Sequence, residues 1–210
     1  MASILDSLLK KPVAKAEPEE GKEPCDHSEQ ELRISLLKLV IDRYREKIEE
    51  YETKSVADMK GMVTPREQHI SEIKEKITEE FHPYVYDEHF LSAAKMCFEF
   101  VSSFRTVSLP VSFWLSFSDM KELMAGDEID KSLLFCSLLR SLGSESAKVF
   151  VTDSRNSYVL FQFGGKSFVA DHSKKELQAA ESGAEAFKLL SGKILYSFSD
   201  KEYEDFAEAE

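Results

Sequence analysis

From Ile34 onward, large apolar residues recur at alternating intervals of three and four: Ile34, Leu37, Ile41, Tyr44, Ile48 and Tyr51, with charged Arg43, Glu46 and Glu49 between them. This is the heptad spacing of a helix with one apolar stripe, and Ser28 followed by Glu31 forms the capping box that would start it. Gly61 interrupts the pattern. Thr64, Pro65 and Glu67 then read as cap, first and third helical residues, and Ile70, Ile73 and Ile77 resume the apolar spacing before Pro83 ends it. Two such helices over 28–82 predict an antiparallel hairpin; the same spacing also allows each helix to pack separately on a globular core.

Past Pro83 the apolar density rises. Asp87 can cap a helix carrying Phe90, Leu91, Ala94, Met96, Cys97, Phe98 and Val101, enough apolar surface for a buried helix, and Pro110 forces a break. Asp127 then precedes a run from Ile129 to Leu142 in which Ile129, Leu133, Cys136, Leu139 and Leu142 recur at helical spacing, while Leu134, Phe135 and Leu138 widen the face into that of a central helix. Asp130 adds an acidic first turn that suits the helix dipole, and Gly143 offers a left-handed stop. Three strands follow, over 147–152, 158–163 and 167–171, the last two joined by the hairpin signal Gly164-Gly165. Ser173 with Glu176 predicts a helix reaching about Leu190, Lys193 to Phe198 a strand, and Ser199 with Glu202 a last acidic helix. The order of elements is that of an α+β domain over 83–210.

At the other end, Ile4, Leu5, Leu8 and Leu9 fall on one side of a short helix, followed by a Lys-, Glu-, Ala- and Pro-rich stretch; residues 1–27 therefore read as an amphipathic peptide on a flexible linker. These four residues are the candidate partner-binding set, and folding back onto the chain's own domain is the alternative use for them. Composition narrows the partners. Lys and Arg total 27 against 39 Asp and Glu, a net charge of -12 that repels a phosphate backbone, so nucleic acid is not expected. Cys25, Cys97 and Cys136 have no CxxC spacing and leave one over from any pairing, which argues against a disulfide framework or a zinc site and fits a reducing, cytoplasmic setting. No apolar run approaches the ~20 residues of a membrane span. Nothing in the pattern calls for a metal or cofactor.

The chemistry-bearing segment is 113–171. Trp114-Leu115, Gly126-Asp127-Glu128-Ile129-Asp130, Leu138-Leu139-Arg140-Ser141-Leu142-Gly143, Gly165-Lys166 and Asp171 stand in the order and spacing of the transglutaminase-like superfamily of the papain-type fold, which this stretch resembles. The resemblance implies a central helix packed on a small antiparallel sheet. It also implies a site in which a cysteine at the helix start attacks, a histidine opening the next-but-one strand acts as its base, and an aspartate after the hairpin orients the histidine. A thiolate there is stabilised by the helix dipole and the imidazolium.

Carried onto this sequence, the cysteine position falls on Glu128, the histidine position on Asn156 or Ser157, and the aspartate position on Asp171. Only Asp171 has the expected type. Glu128 is no soft nucleophile and Asn156 exchanges no proton near neutral pH, so the expectation is a non-catalytic homologue that binds a protein or peptide, with self-association through the hairpin as one form of that binding. The alternative is a cysteine-type peptide or amide hydrolase whose nucleophile is displaced, and Cys97 and Cys136 are the thiols to test for it. Both lie among apolar residues and read as small buried hydrophobes. His172 adjoins Asp171, but neighbours along a strand face opposite ways, which argues against their pairing.

Overall fold

A computed structural model describes residues 29–108, 111 and 113–206. Ser28 and the candidate partner-binding residues Ile4, Leu5, Leu8 and Leu9 lie outside the described residues. The chain divides into two units, 1–43 and 44–210. Helix α1 (Glu29–Glu52) begins in the first and ends in the second. Along its described part in the first unit, Leu32, Ile34, Leu36, Leu37, Leu39 and Val40 are all between 46% (Val40) and 60% (Leu36) exposed.

In the second unit the chain continues through α2 (Val56–Met62), α3 (Gln68–Thr78) and α4 (Tyr86–Ser102). Helix α2 is opened by a capping box between Ser55 and Asp58 and contains Gly61, which the sequence pattern presents as a breaker. The restart falls three residues later than Thr64 predicts: Glu67 is the N-cap of α3. Ile70 and Ile77 are buried in the main core, and α3 packs on α4 and on the central helix. The second apolar stripe is thus used on the globular body, and residues 44–82 fall within the second unit. Helix α4 starts at Tyr86 with Val85 as N-cap, so Asp87 serves its first turn and not its cap.

After the short strand β1 (Arg105–Thr106), helix α5 (Phe117–Leu123) and strand β2 (Ala125–Gly126), which pairs in parallel with β1, comes the central helix α6 (Glu128–Ser141). Asp127 and Asp130, expected as an acidic helix start, form its capping box, and Gly143 turns at φ 107° beyond its end. Strands β3 (Lys148–Thr152), β4 (Ser157–Phe163) and β5 (Lys166–Asp171) follow within a residue of their expected bounds. Gly164 and Gly165 take φ 59° and 77°, the left-handed pair that a two-residue hairpin demands.

Two expected helices are absent. Ser173 does not start one; the chain forms strand β6 (Glu176–Ala180) and only then a short helix α7 (Gly183–Lys188) capped by Ser182. After β7 (Ile194–Phe198), the Ser199 turn leads into strand β8 (Tyr203–Asp205) and not into an acidic helix. The result is a six-stranded antiparallel sheet in the order β6-β5-β4-β3-β7-β8. It confirms the α+β class, with a central helix on an antiparallel sheet.

The two faces of this sheet are unlike. Val149, Val159, Phe161, Phe168, Ala170 and Phe198 join α3, α4 and α6 in the main core, while Phe150, Tyr158, Leu160, Val169 and Ala180 form a smaller cluster with Ala186 and Leu190 on the other face. The two-residue side-chain period of the strands produces this sorting. From Asp130 to Leu139 every residue of α6 is buried, which is why its apolar face is so wide and why its polar residues all need partners.

Candidate functional site

The first two turns of α6 meet the ends of β4 and β5, where the superfamily resemblance puts the reacting groups. Four polar residues of α6 go into the interior, and each is bonded. The Asp130 carboxylate accepts from the backbone amides of Leu115 at 3.2 Å and Asp127 at 3.1 Å. The Lys131 ammonium donates to the Phe104 carbonyl and to Thr106 Oγ1, both at 2.7 Å, tying α6 to β1. The hydroxyls of Ser132 and Ser157 share a hydrogen bond at 3.0 Å, both side chains being buried. Ser137 Oγ accepts from the amide of Thr64 at 3.1 Å.

Of the two positions open for the histidine, Ser157 is the one turned toward α6. Asn156 takes the other face: its Nδ2 donates to the hydroxyl of Tyr158 at 3.5 Å, and Tyr158 belongs to the smaller cluster. Asp171 sits opposite Tyr158 in the β4–β5 register, at the end of its strand. Its Oδ1 accepts from the amide of Ser173 at 3.0 Å, the hydroxyl of Ser173 at 2.6 Å and the amide of Lys174 at 3.1 Å, and Oδ2 pairs with Lys174 Nζ at 3.1 Å. Burial alone would raise its carboxyl, but these bonds to Ser173 and Lys174 outweigh that and hold it below the ordinary value. Glu128, in the first turn of α6, is half-buried; burial first, then the Asp171 and Asp127 carboxylates, raise its carboxyl, with Lys131 opposing. Glu128 and Asp171 are therefore close enough to feel each other.

His172 was the residue whose situation the sequence could not convey. It is 1% exposed, stacked on Phe98 with ring centroids 5.2 Å apart and met edge-on by Phe135 at 5.4 Å. Neither ring nitrogen has a hydrogen-bond partner among the described residues. Burial, and then the Lys131 ammonium, push its pKa down to about 3 against a weaker opposite pull from Asp171, so the imidazole is neutral at physiological pH. Lys131 was missed as well; a lysine inside an apolar helical run reads as surface until its carbonyl and hydroxyl partners are known. Its ammonium pKa is lowered by burial and by Lys175.

The thiols lie elsewhere. Cys97 and Cys136 are free and fully buried; burial raises both, Cys136 to about 12. Among the described residues no group of three or more His, Cys, Asp or Glu is arranged to hold a metal ion, and no helix is long and apolar enough to cross a membrane.

No family model matches the chain, and no curated protein matches its sequence. Among solved structures the chain is similar to Legionella pneumophila LapG, with a TM-score of 0.49 and 11% identity over 77% of this chain and 87% of that one. It is also similar to calcium-bound LapG from the same organism, with a TM-score of 0.42 and 15% identity over 64% of this chain and 88% of that one. The chemistry of the α6 start has to come from the residues found there.

Proposed function

We propose that this chain is a non-catalytic, transglutaminase-like binding module for a protein or peptide. One observation carries the reading: Lys131, Ser132, Ser157 and Asp171, polar groups around the start of α6, already hold hydrogen bonds within the fold. Ser132 holds Ser157, Asp171 is enclosed by Ser173 and Lys174, and Lys131 is held by Phe104 and Thr106. Acyl transfer needs a nucleophile that ionises readily next to a base with a free lone pair. Glu128 offers no such nucleophile. The imidazole of His172 is enclosed by aromatic rings, and burial pushes its pKa down to about 3, which makes it a poor proton acceptor near neutral pH.

A binding role also gives the exposed apolar residues of α1 a purpose. Single surface leucines are ordinary, but six large apolar side chains at about half exposure on one helical stretch mark a surface that meets another apolar surface. The hydrolase alternative requires Cys97 or Cys136 to ionise near neutral pH, and burial works against both.

Residue-resolved alkylation of the folded protein, read by mass spectrometry across a pH series, tests the reading. Both thiols are expected to stay unmodified near neutral pH until the chain is unfolded. Fast alkylation of either in the native state would mean a thiolate is present and would overturn the non-catalytic assignment.

A further inference from the structure

The outer face of the sheet is covered only in part. Short helix α7 brings Ala186 into one cluster with Tyr158, Val169 and Leu190, and its own Phe187 stands at the surface beside buried Phe150 and Leu160. Phe150 lies between Phe187, with centroids 5.6 Å apart, and Phe206, at 6.4 Å, and Phe187 is 43% exposed. A cavity of about 400 Å³ opens here over Phe150, Leu160, Phe187 and Phe206, with Glu202 and Glu204 at its edge. A second cavity of about 750 Å³ shares Gln162, Ser167 and Gly183 with the first and runs on past Tyr86 to the Gly164–Gly165 turn. The shared residues make the two one continuous groove.

Its charge is one-sided. Asp87, Glu145, Glu181, Glu202 and Glu204 line it, against Lys148 and Lys166. Lys148 pairs with Glu202 at 2.7 Å, Lys166 with Glu181 at 2.8 Å and Lys201 with Glu145 at 4.0 Å, so the rim keeps a smaller excess of negative charge, centred on Asp87 and Glu204. An acidic rim over an aromatic floor attracts cations with apolar side chains between them and repels acidic chains, and the overall charge of -12 acts in the same direction.

We propose that this groove binds a short cationic peptide that alternates basic and bulky apolar residues. The apolar side chains enter over Phe150, Phe187 and Phe206, and the basic ones meet the carboxylates of the rim. The proposal deepens the binding-module reading and rests on it, and it places the apolar side chains of the peptide in the cavity lined by Phe150, Phe187 and Phe206.

The test uses the full chain and a fluorescein-labelled Lys-Phe-Lys-Leu-Lys-Phe peptide, followed by anisotropy, with Glu-Phe-Glu-Leu-Glu-Phe as control. The lysine peptide should bind and the glutamate peptide should not, and added salt should weaken the complex, as screening of exposed charges requires. Phe187→Ala removes a half-exposed ring that anchors the apolar side chains and should weaken binding about tenfold. Glu204→Lys reverses the charge of the rim at an exposed position and should weaken it by a similar factor; it decides the matter alone should Phe187→Ala fail to fold by circular dichroism. Absence of binding to the wild type, or binding that the folded variants leave unchanged, overturns the groove. The recovered peptide is weighed as well: a cleaved peptide overturns the non-catalytic reading while leaving the groove standing, and an intact, unbound peptide overturns the groove alone.

Discussion

His172 should make this protein lose stability in mild acid, and the size of the loss follows from its surroundings. The ring is enclosed by Phe98 and Phe135, with Lys131 and Asp171 as the charged groups acting on it, and its pKa falls to about 3. An unfolded histidine titrates at about 6.5. The folded-state value is the lower one, so as pH falls the unfolded chain takes up the proton first. The contribution of His172 is complete above about pH 6.5 and is lost as pH falls toward 3. Between about pH 7 and about pH 4.5 the linkage amounts to about 2.5 kcal/mol, since each unit between the two pKa values is worth about 1.4 kcal/mol. The assay is urea unfolding at both pH values, read by the fluorescence of Trp114, the single tryptophan, for the wild type and His172→Leu. Glu128 and Asp130 have raised carboxyls, Asp130 by burial and by Asp127, and these contribute the opposite slope. Both groups are present in the two proteins, so the difference between wild type and variant isolates the imidazole. The wild type should lose about 2.5 kcal/mol more than the variant over this interval. At neutral pH the variant should be no less stable, because leucine leaves no buried ring nitrogen unpaired. Equal slopes in the two proteins would refute the reasoning and mean that the ring nitrogens find partners.

Three further outcomes are expected. Ser157→Ala strands the Ser132 hydroxyl in the interior and should cost about 1–2 kcal/mol by urea unfolding, and the double replacement with Ser132→Ala should cost less than the two single changes added together. Gly192→Ala should destabilise by about 2 kcal/mol or more, because Gly192 sits at φ 92° and a Cβ there would collide with the side chains of Asp153 and Ser154; wild-type stability in the variant would contradict the turn geometry. Changing Leu32, Leu36 and Leu39 together to glutamine should move the unfolding free energy by less than about 0.5 kcal/mol, the effect of surface substitutions; a loss of several times that would show that these residues pack within the fold.

The same capping signal opens a helix at one place in this sequence and closes a turn at two others, for a reason visible in the hydrogen bonds. Asp127 and Asp130 do cap α6, and the apolar run behind them makes helix the only use of the signal. Ser173 with Glu176 and Ser199 with Glu202 show the same spacing, yet both lie in turns between strands. Ser173 is held by Asp171, Lys175 takes φ 56°, and the chain reverses into β6, paired Asp171 to Glu176. Ser199 Oγ accepts from the amides of Lys201 and Glu202, each at 3.2 Å, the bonds a helix cap would make, before β8 pairs with β7. A side-chain oxygen accepting from amides two or three residues on closes a turn as well as it opens a helix. Strand pairing, which is not local, then decides between them. The same lack of non-local information left α3 open between a hairpin and the body, since Ile70, Ile73 and Ile77 mark an apolar stripe without saying what it meets.

At the α6 start, sequence supplied the elements and the sheet supplied the faces. Asn156 and Ser157 were equal candidates along the chain, but a strand turns consecutive residues to opposite sides, and only Ser157 meets Ser132. The same parity accounts for Asp171 and His172: Asp171 is drawn into its own turn, and His172 goes in among Phe98 and Phe135. A hydrolytic site keeps its donors and acceptors available to a substrate, at a cost in stability. Here the buried hydroxyls of Ser132 and Ser157 satisfy each other, the Lys131 ammonium satisfies a backbone carbonyl, and Asp171 closes a turn. On the non-catalytic reading, replacing Glu128 with cysteine should create no amidase activity, because the imidazole of His172 is enclosed by Phe98 and Phe135; detectable turnover in that variant would contradict the reading.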